Sequence, residues 1–240
     1  MKPAMVTLAL ILIGFLAGIA VGHYKLFPFN LLLSAKNSVG LDLGADARRD
    51  AAKQPRLSLF EEFQQQADIV FVGDSLTQAG LWNEFFETPR IANRGIGSDK
   101  TTDVLARLDT VIATRPDTAF LMIGINDITN GRSPAEIAET YASIVDQLKA
   151  ARIEVVIQST VQCDPSQGRC TAVHVQAVNA LNDLLVELAD EKQVRFLKLG
   201  ELANPQGLSP EYTYDGMHLT AAGYRAWIDA VQDALTREQQ

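Results

Sequence analysis

The chain has few of the residues from which several kinds of protein site are built. Its 240 residues include only two Cys and three His, too few for a zinc site made of those ligands alone. Lys and Arg (21) are outnumbered by Asp and Glu (29), and the formal net charge is −8. Because a nucleic-acid-binding protein needs a basic surface, this balance argues against such a partner. We expect no metal ion, no other cofactor and no nucleic acid.

The overall composition is that of a globular protein. Hydrophobic residues make up 47% of the chain and charged residues 21%, and there are 16 Gly and 9 Pro. These proportions exclude collagen-like, low-complexity and wholly disordered chains. The length favours one large domain with appendages.

One long hydrophobic run lies near the start of the chain. Residues 4–22 carry no charged side chain, and a helix of that length spans about 28 Å, close to the roughly 30 Å hydrocarbon core of a bilayer. Because backbone groups in lipid must be hydrogen-bonded within the segment, we expect a transmembrane helix. Residues 1–25 are therefore predicted to be a membrane anchor or signal sequence. The alternative to an anchor is a cleaved signal peptide with Gly18 and Ala20 before the cut, although its apolar core is usually shorter.

The segment after the hydrophobic run has a different composition. Apolar residues continue as far as residue 33, and residues 34–55 are small, polar and charged, with no lasting apolar period. Such a composition is typical of a linker or weakly ordered tether. We predict a juxtamembrane segment and linker over residues 26–55 and a globular domain over residues 56–240.

Apolar runs alternate with amphipathic runs in the globular domain. Short apolar runs, typical of buried strands, occur at residues 68–73, 91–93, 118–124, 153–158 and 194–199. Helical patterns occur at residues 101–113, from residue 133 onward, and at residues 171–192 and 220–235. Strands that alternate with helices form parallel sheets covered on both faces. The predicted fold class is therefore α/β, a three-layer α/β/α domain.

Polar motifs follow the predicted strands, at the sheet edge where ligands of parallel sheets bind. They are Gly73-Asp74-Ser75-Leu76, Asn93-Arg94-Gly95-Ile96-Gly97-Ser98-Asp99, Gly124-Ile125-Asn126-Asp127 and, before the last helix, Asp215-Gly216-Met217-His218. The four motifs, in this order, resemble those of the SGNH (GDSL) hydrolases over residues 68–230. The resemblance implies a flavodoxin-like parallel sheet and a serine hydrolase that cleaves esters or thioesters through an acyl-enzyme.

The first and last motifs supply a candidate nucleophile and its base. Ser75 is predicted at a strand-to-helix turn, where its hydroxyl can project from the sheet edge, but a serine reacts only when a base takes its proton. His23 adjoins the apolar run and His174 lies in a helical pattern, whereas His218 follows the sheet in a glycine-containing loop. Asp215 can reach His218 Nδ1. We predict Ser75, Asp215 and His218 as the catalytic residues.

The two middle motifs supply candidate hydrogen-bond donors for an oxyanion hole. Asn126 offers a side-chain amide. The resemblance further implies a backbone N–H from a glycine in the second motif, and Ser98 stands where that glycine lies in the usual G-x-G-G-D pattern. A backbone donor needs glycine only if its φ is positive, so Ser98 can serve and Gly97 is the alternative. Asp74 and Asp127 are expected to brace these loops.

The two cysteines bear on the cellular compartment. Cys163 and Cys170 flank a short turn and are candidates for a local disulfide if the domain is in an oxidising compartment, with two free thiols as the alternative. The charges around the hydrophobic run do not decide its orientation. The cysteine pair therefore favours an inner-membrane protein with one N-terminal span and its catalytic domain in the periplasm. The alternative is a secreted or periplasmic protein after signal cleavage.

The predicted function is that of a serine esterase that hydrolyses a carboxylic ester. The segments 129–133 and 164–171, expected at the rim of the site, are small and polar, which favours a short acyl group on a cell-envelope molecule. The alternatives are a lysophospholipase or thioesterase for longer chains, an O-acyltransferase, and a non-catalytic glycan-binding module. Expected partners are a small-molecule, glycan or lipid ester and, through residues 4–22, the membrane. The sequence does not indicate an oligomeric state.

Overall fold

The structure, a computed structural model, describes residues 12, 14, 15, 45–86, 89–168 and 170–236. The chain forms two compact units, Met1–Ala52 and Lys53–Gln240. The predicted transmembrane helix at residues 4–22 falls almost wholly outside the described residues. Among the described residues, no helix is both long enough and apolar enough to span a bilayer.

A five-stranded parallel sheet forms the centre of the second unit. Its strands are β1 (Ile69–Gly73), β2 (Ile91–Gly95), β3 (Thr118–Met122), β4 (Glu154–Gln158) and β5 (Arg195–Leu197), in the spatial order β2-β1-β3-β4-β5. This is the strand order of flavodoxin-like sheets. The predicted α/β class with a parallel sheet is confirmed. Gly73 lies opposite both Gly95 and Met122, so β1, β2 and β3 end at the same edge of the sheet.

Helices precede the sheet, connect its strands and follow its last strand. They are α1 (Ala45–Glu62), α2 (Ser75–Ala79), α3 (Trp82–Phe85), α4 (Thr101–Ala106), α5 (Leu108–Ile112), α6 (Ile125–Thr129), α7 (Pro134–Ala150), α8 (Ala172–Glu191) and α9 (Ala221–Thr236). Three 3₁₀ turns (Pro165–Gln167, Gly200–Leu202, Pro210–Tyr212) and a short antiparallel pair, β6 (Ala203–Asn204) with β7 (Gly207–Leu208), complete the described elements. At the start of α7, Ser133 and Glu136 form a capping box.

Successive strand residues point to opposite faces of the sheet, and the two faces carry separate hydrophobic cores. Val70 and Val72 of β1 belong to the core that includes residues of α4, α5, α7 and α8. Phe71 between them belongs to the other core, with Trp82 of α3 and Trp227 of α9. Helices therefore cover both faces, which makes the domain a three-layer structure.

Residues 45–55, predicted to be part of a linker or weakly ordered tether, are helical and form the first part of α1. Ala, Arg, Lys and Gln are abundant there and are strong helix formers. Because most side chains from Arg48 to Pro55 are exposed, no apolar period marks the helix in the sequence. Further along α1, Lys53 pairs with Asp99 and Arg56 donates to the Gly95 carbonyl oxygen.

The predicted single helix over residues 101–113 is divided into α4 and α5. The division falls at Arg107, whose backbone (φ −114°, ψ 19°) departs from helical geometry. Its guanidinium is buried, where it donates to Asp99 Oδ2 at 2.8 Å and to the carbonyl oxygens of Gly73 and Arg94. The apolar period continues across the division, so it does not reveal the break.

Candidate active site

Ser75, His218 and Asp215 form a continuous chain of hydrogen bonds at the carboxyl edge of the sheet. Ser75 Oγ lies 3.0 Å from His218 Nε2, and His218 Nδ1 lies 2.8 Å from Asp215 Oδ2. Ser75 is the first residue of α2, directly after β1, whereas the other two belong to the loop before α9. In this arrangement a histidine can take the proton of the serine hydroxyl while the carboxylate holds the ring in one tautomer.

Local hydrogen bonds fix the loop that carries His218. Asp215 Oδ1 accepts the backbone N–H groups of Met217 and His218 at 3.0 and 2.8 Å. Thr213 Oγ1 donates to the His218 carbonyl oxygen and accepts the Gly216 N–H. Partial burial favours the neutral form of Asp215, but the hydrogen bonds from His218 and Met217 outweigh it and lower the Asp215 pKa to about 2. Asp215 is therefore ionised at neutral pH and can orient the imidazole.

The strand-to-helix turn at Ser75 is held by Asp74 and Asn93. The Asp74 carboxylate caps α2 by accepting the Leu76 N–H at 2.9 Å. Asn93 Nδ2 lies within 3.1 Å of the carbonyl oxygens of Thr77, Gln78 and Gly80 at the other end of α2. Both ends of this short helix are thus tied to the sheet edge, which fixes the position of the Ser75 hydroxyl.

The turn of residues 95–99 brings Gly97 and Ser98 to the site. Ser98 has φ +64°, the left-handed conformation that favours glycine. This conformation explains why the G-x-G-G-D pattern has a glycine at the position that Ser98 occupies here. The Gly97 N–H donates to Gln78 Oε1 at 2.7 Å. Within the described part of the chain, the Ser98 N–H has no hydrogen-bond partner. Of the two alternative donors, Ser98 is the one left free for a ligand.

Asn126 reaches the same place from the third motif. Its Nδ2 donates to the Asp99 carbonyl oxygen at 2.9 Å and lies 3.5 Å from Asp74 Oδ2. Gly124 before it has φ +128°, and a Cβ there would lie 2.8 Å from Leu181 Cδ2. Glycine is thus needed for the chain to turn from β3 into α6 with Asn126 in its first turn.

Asp74 and Asp127 have the bracing role that the sequence predicts. The buried Asp127 carboxylate accepts the N–H and hydroxyl of Thr101 and pairs with Arg132 at 2.6 Å. Asp74 is fully buried, and this burial, together with the nearby charges of Asp99 and Asp127, raises its pKa to about 7 despite the hydrogen bond from Leu76. Neither carboxylate is hydrogen-bonded to Ser75 or His218 among the described residues.

The two cysteines form a disulfide, Cys163–Cys170, which closes the loop after β4. This loop contacts the one that carries His218, since the Asp164 N–H donates to the Gly216 carbonyl oxygen at 2.7 Å. Among the residues that the structure describes, no group of three or more His, Cys, Asp or Glu side chains could hold a metal ion.

Several residues that shape the site were not predicted from the sequence. Gln78, Lys53, Arg56 and Arg107 contact the turn of residues 95–99. Tyr214 stacks on the His218 ring with 6.0 Å between centroids and is 66% exposed. Only Tyr214 could have been suspected, because it adjoins the last motif. A cavity of about 620 Å³ between β5 and α9 contains none of the site residues.

The chain is similar to known proteins in sequence and in fold. Residues 71–226 match the GDSL-like Lipase/Acylhydrolase family. The chain is 26% identical over 184 residues to platelet-activating factor acetylhydrolase IB subunit alpha1 of Bos taurus, covering 72% of this chain and 77% of that protein. The structure of the present chain is similar to that of a GDSL-like lipase from Bacteroides thetaiotaomicron. The TM-score is 0.68 at 21% identity, and the match covers 78% of this chain and 98% of the lipase. An acetyl xylan esterase is also similar (TM-score 0.61, 22% identity, 69% and 98%).

The strand order and the motifs at the strand ends define a hydrolase of the SGNH class. Because the family match covers more than half of the chain, the protein belongs to the GDSL-like lipase/acylhydrolase family. It is therefore an enzyme of the acylhydrolase and esterase type.

Proposed function

We propose that the protein hydrolyses a carboxylic ester with a short acyl group, through an acyl-enzyme on Ser75. The observation that carries this proposal is the unbroken chain from Ser75 Oγ to His218 Nε2 at 3.0 Å and from His218 Nδ1 to Asp215 at 2.8 Å. A nucleophile hydrogen-bonded to a base, with that base oriented by a third group, is the arrangement that activates serine.

In the first half-reaction, Ser75 Oγ attacks the ester carbonyl carbon while His218 Nε2 takes the hydroxyl proton. The Ser98 N–H and Asn126 Nδ2 stabilise the negative oxygen of the tetrahedral intermediate. The intermediate collapses as the bond to the alcohol oxygen breaks and His218 returns the proton to that oxygen. In the second half-reaction, His218 Nε2 takes a proton from water as the water oxygen attacks the acyl carbon. The resulting intermediate collapses as the bond from the acyl carbon to Ser75 Oγ breaks, and His218 returns the proton to Ser75 Oγ, which releases the carboxylic acid and free Ser75.

Three observations support a short acyl group. The relatives described above include proteins named as an acetylhydrolase and as an acetyl xylan esterase. Of the large apolar side chains at residues 81–86, Trp82 and Phe86 are buried in the core and Phe85 is half-buried against it, which leaves Leu81 as the exposed one. The segment after α6 is polar, and its Arg132 is tied to Asp127.

We further propose that the enzyme acts at the outer face of a bacterial-type inner membrane, on an acylated cell-envelope molecule, with residues 4–22 as its anchor. The Cys163–Cys170 disulfide supports an oxidising compartment. A reporter fused after Gln240 in the full chain should be active in the periplasm. Activity of that fusion only in the cytoplasm would contradict this location.

Nitrophenyl esters with acyl chains of two to sixteen carbons test the substrate class, with Ser75→Ala as the control. We expect kcat/KM to fall steeply beyond four carbons and Ser75→Ala to be inactive on every ester. A maximum at ten carbons or more would favour a lysophospholipase or thioesterase, and equal inactivity of both proteins would refute the hydrolase. Product analysis with and without a sugar acceptor separates hydrolysis from acyl transfer.

A further inference from the structure

Two cationic side chains of α1 hold the two ends of the turn of residues 95–99. Lys53 Nζ lies 3.3 Å from Asp99 Oδ1 and 2.7 Å from Asp103 Oδ2. Arg56 Nε donates to the Gly95 carbonyl oxygen at 2.6 Å. Residues three apart lie on the same face of a helix, so this face of α1 contacts the turn at its first and last residues.

The turn between these two contacts contains the free donor of the site. Ser98 holds φ +64°, a conformation that a residue with a Cβ keeps only when its surroundings impose it. The neighbouring Asp99 is 1% exposed and pairs with two cations, Lys53 and Arg107. Burial raises the pKa of Asp99, whereas the charges of Arg107 and Lys53 favour its ionised form. Loss of Lys53 would therefore weaken the contact that holds this end of the turn.

Asp99 also connects the turn to the second donor. Its carbonyl oxygen accepts the hydrogen bond from Asn126 Nδ2 at 2.9 Å. The same residue thus contacts α1 through its carboxylate and Asn126 through its backbone. A shift of Asp99 would move the Ser98 N–H directly and the Asn126 amide through this hydrogen bond.

A buried aromatic ring fixes this face of α1 to the domain. Phe60 lies on it, seven residues after Lys53, and is buried. The guanidinium carbons of Arg56, Arg94 and Arg107 lie 5.2, 4.5 and 5.9 Å from the centre of its ring. Distances of this size are typical of cation–π contacts. Phe60 therefore packs against the same Arg107 that pairs with Asp99.

We propose that Lys53 and Arg56 are positioning residues for the ester hydrolysis, acting through Asp99 and Gly95 to hold the Ser98 and Asn126 donors where the oxyanion forms. This inference rests on the proposed function. Neither side chain is hydrogen-bonded to Ser75 or His218 among the described residues. Their effect is therefore expected on the rate of the chemical step and not on substrate binding.

The test compares Lys53→Met, Lys53→Arg and the control Gln54→Met in the full chain. Gln54 is the next residue of α1 and is exposed. A displacement of about 1 Å in a catalytic group can cost roughly 10²-fold in rate. For Lys53→Met we expect kcat on an acetyl ester to fall about 10- to 100-fold with KM changed less than about twofold. Lys53→Arg should recover most of kcat, and Gln54→Met should match the wild type.

A double-mutant cycle with Asn126→Ala separates positioning from a general effect on stability. If Lys53 acts through the oxyanion donors, Lys53→Met should cost less in the Asn126→Ala background than in the wild type. The part transmitted through Asn126 is already lost there, and only the part transmitted through the Ser98 N–H remains. Equal costs in both backgrounds would overturn the proposal, as would a lower melting temperature with unchanged kcat. If Lys53→Met does not fold, Arg56→Gln enters the same cycle with the same expected loss.

Hydrogen exchange keeps this inference separate from the proposed function. In the Ser75→Ala background no turnover is needed. The N–H groups of Gly97 and Asp99 are hydrogen-bonded, to Gln78 Oε1 and to the Ile96 carbonyl oxygen. Lys53→Met should speed amide exchange at these two residues at least about tenfold relative to Gln54→Met. Unchanged exchange would overturn the positioning role. Esterase activity that persists in Ser75→Ala alone would instead overturn the proposed function, whatever the exchange measurements give.

Discussion

The backbone N–H of Gly97 donates a hydrogen bond to Gln78 Oε1 at 2.7 Å. This bond joins the turn after β2 to α2, the helix that begins with Ser75. It also occupies one of the two backbone donors that the second motif could present to an oxyanion. The proposed mechanism therefore uses the next N–H, that of Ser98, together with the Asn126 side chain.

Replacement of Asn126 by Ala should lower kcat about 10²- to 10³-fold with little change in KM, because its donor acts mainly on charge that develops in the transition state. Steady-state kinetics on an acetyl ester measures both constants. Ser75→Ala and His218→Ala serve as references and should remove nearly all turnover. A large rise in KM with kcat preserved would make Asn126 a substrate-binding residue instead.

Replacement of Ser98 by Gly should stabilise the protein and keep its activity. A side chain at φ +64° costs roughly 1–2 kcal/mol, which Gly avoids, although the greater freedom of an unfolded Gly chain offsets part of the gain. We expect the free energy of unfolding in urea to rise by about 0.5–1 kcal/mol. Since the N–H remains, kcat should stay within about threefold of the wild type. A loss of stability in this variant would mean that the Ser98 side chain makes a necessary contact.

The stability contributed by Asp74 should fall as the pH rises. Burial raises its pKa from 3.8 in the unfolded chain to about 7 in the folded protein. The folded state therefore binds the proton more tightly, and this contribution is full below about pH 4 and lost as pH rises through about 7. Asp74→Asn keeps a capping oxygen and cannot ionise.

Urea unfolding of both proteins between pH 4 and 8 measures this effect. Relative to Asp74→Asn, the wild type should lose stability across the range, by about 1.4 kcal/mol for each unit of pKa difference between the two states. A difference that is constant, or that grows in favour of the wild type, would mean that Asp74 is ionised in the folded protein.

The disulfide should stabilise the fold without taking part in the reaction. For Cys residues 7 positions apart, the chain-entropy estimate gives about 2–3 kcal/mol. We expect the double variant Cys163→Ala/Cys170→Ala to lose about that much free energy of unfolding in urea. Thiol labelling of the wild type should require reduction, and because both residues are buried it should also be faster after unfolding. Rapid labelling of the native protein without a reductant would contradict the pairing.

Local patterns in the sequence account for the strands, the long helices and the four strand-end motifs. Short apolar runs that alternate with amphipathic helical runs predict a parallel sheet. The strands of such a sheet are covered by helices on both faces and are therefore apolar along their whole length. The spacing of Asp215 and His218 predicts their contact because three residues of loop already bring them together. These features depend only on residues that are close together in the sequence. The family resemblance rests on the four motifs and therefore also depends only on such local patterns.

The contacts that assemble the site depend on packing between segments that are distant in the sequence. Ser75 and His218 are separated by 143 residues in the sequence. Lys53 and Asp99 are in contact, but no sequence pattern links the segments that contain them. The positive φ of Ser98, the bond from Gly97 to Gln78 and the break at Arg107 arise because side chains from different elements meet and satisfy one another's charges and hydrogen bonds. The types of the reacting groups are thus determined by the sequence itself. Which backbone N–H is free, and which helix holds it in place, is determined only by the tertiary structure, since both depend on contacts that no local pattern encodes.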